Sequence, residues 1–180
     1  GDPVLQERVR GIATDVLQKL GAGGSVAITI RKSYPSHVGL GSGSQLGLAV
    51  ARAVAELHDR HLPVKELAKL VGRGGTSGIG TAAFEYGGFI VDGGHRFGAG
   101  GEKTDFRPSA ASRGVSPPPV IARHDFPSDW RILLVIPKVP AGASGTIETD
   151  IFRNHCPVPL DEVRELSHEI LMRMLPGIAS

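Results

Sequence analysis

A turn of glycine and serine, Gly39-Leu40-Gly41-Ser42-Gly43-Ser44, constrains the fold of this 180-residue chain more than any other feature. Residues 25–30 before it alternate like a β-strand, and the apolar residues after it recur at helical spacing up to Leu57. A helix that begins at such a turn has unpaired N–H groups and a dipole that favours an anion. Glycine leaves room for phosphate oxygens, and the two serines add hydroxyl donors. The sequence therefore predicts phosphate binding at residues 39–44.

The same turn also has a purely structural interpretation, in which its glycines serve a tight connection and close helix packing. It is not a Walker A loop, because no Gly-Lys-Ser/Thr sequence ends it, and it lacks the later acidic residue of the dinucleotide-binding fingerprint. The turn taken alone leaves phosphate binding and packing open.

Apolar spacing predicts further regular elements along the chain. Helices are expected at residues 4–20 after a cap by Asp2, after Pro63, at 81–86, and from 160 to a stop at Pro176, and strands at 89–91 and 130–136. Five of the nine residues 72–80 are glycine, which indicates close backbone contacts or unusual φ values. Residues 97–129 show no sustained periodicity, so they are expected to form a long surface loop, with a domain boundary near Ser128.

Composition excludes several classes of function. The chain is 41% hydrophobic and 21% charged with a formal net charge of +2, and its basic residues are scattered, so no nucleic-acid-binding surface is expected. Its longest uncharged stretch is interrupted by Pro35 and by glycines, so no membrane-spanning helix is expected. The one cysteine, Cys156, rules out an internal disulfide framework and favours a reducing compartment such as the cytoplasm.

Other polar residues are weaker candidates for binding. Seven histidines and Cys156 show no recognised metal-ligand spacing, so no structural metal is expected. Asp92 is a candidate for magnesium or a substrate hydroxyl, with a turn-forming role before Gly93 as the alternative. Basic residues near the glycine segments are candidates for phosphate or carboxylate recognition, with an exposed surface role as the alternative: Arg31, Lys32, Arg73, Arg96 and Lys103.

Two segments resemble motifs of the GHMP kinases, the family of galactokinase, homoserine kinase and mevalonate kinase. Residues 35–42 resemble the Pro-x-x-x-Gly-Leu-Gly-Ser signature, whose loop wraps the triphosphate of ATP in that family; Gly43 stands where Ser is more usual. Residues 74–80 resemble a Gly-x-Pro-Ser-Gly-x-Asp segment whose Asp acts near the substrate hydroxyl, with Gly80 in place of the Asp. Because Gly80 cannot accept a proton, this departure argues against an ordinary kinase.

A longer run, residues 72–95, together with residues 151–157 and the helix after them, resembles the beta-ribofuranosylaminobenzene 5'-phosphate synthases, and the similarity covers nearly the whole chain. Members of that family condense phosphoribosyl pyrophosphate with 4-aminobenzoate, releasing carbon dioxide and pyrophosphate, in methanopterin biosynthesis. The resemblance implies a cytoplasmic, homodimeric transferase with no catalytic residue assigned and with magnesium only as a companion of the pyrophosphate substrate. We expect these residues to contact substrate: Arg73, Gly75, Thr76, Ser77 and Gly78.

The resemblance also implies an α+β fold of the GHMP type. Residues 1–127 are expected to form a domain like domain 2 of ribosomal protein S5, without its first strands, and residues 128–180 to begin a truncated ferredoxin-like domain. Two alternatives to the synthase stay open. One is an ATP-dependent GHMP small-molecule kinase, and the other is a non-catalytic, RNA-binding module with an S5-like fold.

Overall fold

The computed structural model describes residues 2–36, 38–94, 105–106, 108, 112, 115–138 and 146–180. The helices of these residues are α1 (Pro3–Leu20), α2 (Ser42–Leu57), α3 (Val64–Leu70), α4 (Ile79–Tyr86), α5 (Thr146–His155), α6 (Leu160–His168) and α7 (Leu175–Ala179). Strands β1 (Phe89–Asp92) and β2 (Val120–His124) pair antiparallel. A π-helical segment, Glu169–Met174, joins α6 to α7. This mixture of helices and a small antiparallel sheet agrees with the predicted α+β class.

Helix α1 begins and ends where the sequence predicts. The Asp2 side chain accepts a hydrogen bond from the Val4 N–H at 2.9 Å, and Pro3 occupies the first turn, where a missing N–H removes no helical bond. Gly21 ends the helix in the left-handed conformation, at φ 62°. The predicted cap and stop of the helix are both confirmed.

The core lies where α1, α2 and α3 pack together. Its largest fully buried side chains are Val16 of α1, Leu48 and Val54 of α2, and Leu67 of α3. The predicted apolar stripe of α2 is wrong at its end, because Leu57 is 67% exposed. This core fixes the start of α2, and with it the glycine turn, relative to α1 and to the loop after α3.

The prediction that residues 97–129 form a surface loop is wrong for several of the described residues between 112 and 124. Residues 120–124 form β2, with Phe89 opposite His124 in the ladder, and Ser112, Val115 and the Pro117–Pro118 pair are buried. Pairing with β1 and contact with the glycine-rich segment supply the order that apolar periodicity does not show. The rest of the predicted loop lies outside the described residues.

The strands predicted at residues 25–30 and 130–136 do not form within the described part of the chain. A strand requires a neighbouring strand for its ladder of hydrogen bonds, and neither segment has one there. Val26 and Ile30 instead pack as half-buried side chains against the helical core, whereas Leu133 is 86% exposed.

The C-terminal helix begins at Leu160, as predicted, but it does not stop at Pro176. The backbone continues through the π-helical segment into α7, which ends at Ala179. Pro176 lies in the first turn of α7, a position that tolerates the missing N–H of proline. The preceding helix α5 was not predicted.

Candidate functional site

The glycine turn has the open, left-handed backbone that an anion-binding turn requires. Gly39 and Gly41 have φ values of 80° and 65°, which favour glycine over other residues. The Gly41 carbonyl accepts the Ser44 N–H at 3.0 Å and the Gln45 N–H at 3.2 Å, which starts α2. A Cβ atom built on Gly39 or Gly41 would meet nothing within 4 Å. The outer side of the turn is therefore open and unblocked by other described residues.

Two guanidinium groups converge on Gly43, in the first turn of α2. A Cβ atom built on Gly43 would lie 2.7 Å from Nη2 of Arg8 and 3.4 Å from Nη2 of Arg73. Arg8 comes from α1 and Arg73 from the loop after α3. An anion bound between the two guanidinium groups would meet both of them and the positive end of the α2 dipole.

A cavity of about 530 Å³ opens against the same turn. The charged side chains of its described lining are Arg8 and Lys32, and no carboxylate lies among them. Hydroxyl groups and apolar side chains complete the wall: Ser33, Tyr34, Ser36 and Ser42, with Leu5, Leu46, Ala49 and Phe84. Its volume suits a small organic molecule, and its charge suits an anionic one. Another cavity of about 560 Å³, between α1 and residues 24–30, does not include the glycine turn.

Gly80 lies directly against the start of α2. The Gln45 side-chain amide donates to the Gly80 carbonyl oxygen at 2.8 Å, and a Cβ atom on Gly80 would lie 3.1 Å from the Ser44 Cβ. Position 80, where the resembling kinase segment carries Asp, therefore borders the predicted phosphate site. A side chain at this position would be tightly packed against Ser44, which would have to shift by a few tenths of an ångström.

The other predicted substrate residues of this segment contact protein. A Cβ atom on Gly75 would lie 2.3 Å from the Ser112 carbonyl oxygen, and one on Gly78 would lie 3.0 Å from the Pro118 carbonyl oxygen. The Thr76 and Ser112 hydroxyls are 3.2 Å apart. Arg73 is thus the predicted substrate residue that the structure brings to the glycine turn. Substrate contact by the other four stays a prediction.

Asp92 holds the start of α4. One carboxylate oxygen accepts hydrogen bonds from the Ser77 hydroxyl, at 3.0 Å, and from the Gly78 N–H. The other oxygen accepts the Gly94 N–H at 3.0 Å, and the Ser77 hydroxyl in turn accepts the Ile79 N–H. These bonds support the turn-forming alternative for Asp92 over magnesium binding. No group of three or more His, Cys, Asp or Glu side chains that suits a metal occurs among the described residues.

Part of the chain matches a known protein family. Residues 7–88 match the family model described as "GHMP kinases N terminal domain". This match confirms the resemblance predicted from the glycine turn, which lies inside the matched residues.

Three relatives named "Beta-ribofuranosylphenol 5'-phosphate synthase" match nearly the whole chain. The protein from Methanocaldococcus jannaschii is 49% identical over 174 residues, which is 97% of this chain and 52% of that protein. The Methanothermobacter thermautotrophicus protein is 51% identical over 96% of this chain and 51% of its own length. The Archaeoglobus fulgidus protein is 47% identical over 99% of this chain and 54% of its own length. The chain therefore spans about half the length of the curated relatives it matches.

Sequence reasoning missed Arg8, whose guanidinium lies beside Gly43. The sequence does contain a signal for Arg8, which adjoins the predicted apolar face of α1 between Leu5 and Val9. A charged residue is unusual beside an apolar face, so its presence there indicates a specific role. Arg31 and Lys32 were named, and Lys32 lines the cavity. Arg96 and Lys103 lie outside the described residues. None of the described helices combines the length and apolarity needed to cross a bilayer.

Proposed function

We propose that this chain is part of a transferase that joins the ribose of phosphoribosyl pyrophosphate to the ring of a 4-substituted benzoate. The reaction releases carbon dioxide and pyrophosphate, as in methanopterin biosynthesis. The observation that carries the proposal is identity of 47% to 51%, over at least 96% of the chain, to relatives named as synthases of a ribofuranosyl arene phosphate. The open glycine turn, with two guanidinium groups beside it, supports the proposal by offering an anion site.

The chemistry fits an anion site whose described lining contains no carboxylate that could act as a general base. The bond from the anomeric carbon to the pyrophosphate oxygen breaks, and the ring carbon that bears the carboxylate forms the new carbon–carbon bond. The carboxylate then leaves as carbon dioxide, and its bonding electron pair restores the aromatic ring, so no proton has to be removed. Negative charge builds on the leaving pyrophosphate, and positive groups and N–H donors that hold this group lower the barrier. Gly80 is compatible with this reaction, whereas a kinase of the resembling type has Asp there.

The acceptor is proposed at the level of its class. The resemblance in the sequence implies 4-aminobenzoate, whereas the relatives are named for a phenol product, which 4-hydroxybenzoate would give by the same loss of carbon dioxide. Both acceptors carry an electron-donating group opposite the carboxylate, and such a group stabilises the cationic ring formed during the substitution. The proposed function therefore includes both acceptors, and the assay ranks them.

We further propose the domain plan and the cellular setting that the resemblance implies. Residues 1–127 would be the S5-like domain and residues 128–180 the start of a ferredoxin-like domain, in a cytoplasmic homodimer. The match of residues 7–88 to an N-terminal domain model lies within the first of these proposed domains. Magnesium would come with the pyrophosphate, because Asp92 is bonded within the fold and the described acidic residues form no metal cluster.

The test uses the longest natural form of the protein, with phosphoribosyl pyrophosphate, magnesium and no ATP. Each acceptor is labelled in its carboxylate carbon, and the release of labelled carbon dioxide and of pyrophosphate is measured. The proposal expects both products in equal amounts with at least one acceptor, and neither product when the acceptor is omitted. Consumption of ATP with a small alcohol, without carbon dioxide release, would support the kinase instead. Binding of RNA with neither activity would support the non-catalytic module.

A further inference from the structure

We propose that Arg8 binds the diphosphate group of the substrate, and that residue 43 is glycine because a side chain there would displace the Arg8 guanidinium. This inference rests on the proposed function and adds a specificity-determining residue and a ligand group to it. It also answers a question that the glycine turn leaves open, namely whether the pyrophosphate or the 5'-phosphate of the substrate lies at residues 39–44.

The backbone conformation does not explain why residue 43 is glycine. Gly39 and Gly41 have positive φ values, which favour glycine, but Gly43 is not among the residues with positive φ and lies inside α2. Glycine is a poor helix former, so its presence in the first turn of a helix calls for another reason.

The position of the Arg8 guanidinium explains why residue 43 is glycine. A Cβ atom on Gly43 would lie 2.7 Å from Arg8 Nη2, closer than real Cβ contacts allow. Because the contact is with the far end of a flexible side chain, alanine or serine at position 43 would move the guanidinium and leave the fold intact. Arg8 is half-buried on α1, and its neighbour Glu7 pairs with Arg10. The guanidinium can therefore stay over the start of α2.

The charges around the cavity indicate which group of the substrate binds there. Arg8 and Lys32 line the cavity beside the turn, its described lining contains no carboxylate, and the positive end of α2 faces the same space. A guanidinium binds two phosphate oxygens at once, in a fixed planar geometry. A diphosphate carries more negative charge and more acceptor oxygens than a phosphate monoester, so it matches several positive groups better. The geometry therefore favours the pyrophosphate end of the substrate at this turn.

The test measures binding of inorganic pyrophosphate and of ribose 5-phosphate by calorimetry, in the longest natural form of the protein. Arg8→Gln is expected to weaken pyrophosphate binding at least tenfold and to change ribose 5-phosphate binding less than threefold. Arg10→Gln is the matched control, because Arg10 is exposed on the same helix and pairs with Glu7. It is expected to bind both ligands as the unchanged protein does. Equal behaviour of the Arg8 and Arg10 variants would overturn the proposal.

A second variant separates binding from folding. Gly43→Ala is expected to weaken pyrophosphate binding about as much as Arg8→Gln does, while its thermal unfolding temperature stays equal or rises, because alanine is the better helix former. The double variant is expected to bind no more weakly than either single variant, because both remove one contact. Losses that multiply in the double variant, or normal binding by Gly43→Ala, would contradict the pairing of Arg8 with Gly43.

These outcomes are distinct from failure of the proposed function. If the variants behave as expected but no carbon dioxide is released from either acceptor, the diphosphate site stands and the synthase assignment fails. If carbon dioxide is released while Arg8→Gln and Gly43→Ala bind pyrophosphate normally, the synthase stands and the role of Arg8 is refuted. Preferential loss of ribose 5-phosphate binding in Arg8→Gln would place the 5'-phosphate at the turn and refute the assignment of the diphosphate.

Discussion

Replacing Gly75 by alanine tests whether the glycine-rich segment is packed against protein or open to substrate. The added Cβ atom would lie 2.3 Å from the Ser112 carbonyl oxygen, 2.8 Å from the Ser112 Cβ and 3.1 Å from the Val115 Cβ. A backbone carbonyl cannot rotate away as a side chain does, so the segment itself must shift. Overpacking of this kind costs typically 1 to 3 kcal/mol, and we expect about 3 kcal/mol here because the nearest contact is so short.

The assay is urea unfolding followed by far-ultraviolet circular dichroism. With a denaturant slope of about 2 kcal/mol per molar, a loss of about 3 kcal/mol lowers the midpoint by roughly 1.5 M. Gly11→Ala is the matched control, because Gly11 lies in α1 and an added Cβ atom there meets nothing within 4 Å. It is expected to raise the free energy of unfolding by about 0.5 to 1 kcal/mol. A Gly75→Ala midpoint within about 0.3 M of the unchanged protein would refute the packing argument.

Three further predictions concern residues of α4 and their contacts, and two of them include a control substitution. Thr81→Val should leave the free energy of unfolding unchanged or raise it by up to about 2 kcal/mol, because the Thr81 hydroxyl is buried without a hydrogen-bond partner in the described structure. The control Thr81→Ser keeps the hydroxyl, so it should not raise the free energy of unfolding. Arg123→Gln should lower the free energy of unfolding by about 1 to 2 kcal/mol, because the guanidinium donates to the Tyr86 and Gly87 carbonyls at the end of α4, at 2.9 and 3.1 Å. Asp125→Asn, which removes only the exposed ion pair with Arg123, should change it by less than about 1 kcal/mol. Glu85 raises the pKa of Tyr86, first by a side-chain hydrogen bond and second by its charge, so Glu85→Gln should lower that pKa towards 10 in an ultraviolet titration of the phenol.

Elements that depend on their own residues are the ones that sequence predicts well. The ends of α1 follow from Asp2, Pro3 and Gly21, each of which acts through local backbone geometry. Residues 25–30 and 130–136 have the right composition for strands, but a strand also needs a partner, and composition does not supply one. Strand β2 shows the reverse case, since its pairing with β1 creates a strand in a stretch without clear alternation.

The candidate site divides in the same way. The glycine turn and the start of α2 are predictable, because a left-handed turn before an apolar helical stripe is a local signal. Arg73 is also predicted, because it adjoins the glycine-rich segment in the sequence. The approach of Arg8 to Gly43 is not shown by the sequence, because it depends on how α1 packs against α2.

Gly43 and Gly80 are two of the positions at which the chain departs from the kinase motifs, and both departures fit one change of chemistry. Gly80 removes the carboxylate that would act on a substrate hydroxyl, and its closeness to Ser44 leaves little space to restore one. Gly43 removes a side chain where the Arg8 guanidinium lies, which adds positive charge beside the phosphate turn. Loss of a base and gain of a cation are what a reaction needs when its leaving group is a diphosphate and its acceptor loses carbon dioxide instead of a proton. A kinase of the resembling type carries Asp at position 80. Because the Arg8 guanidinium would remain beside Gly43, restoring Asp at position 80 alone should not produce kinase activity.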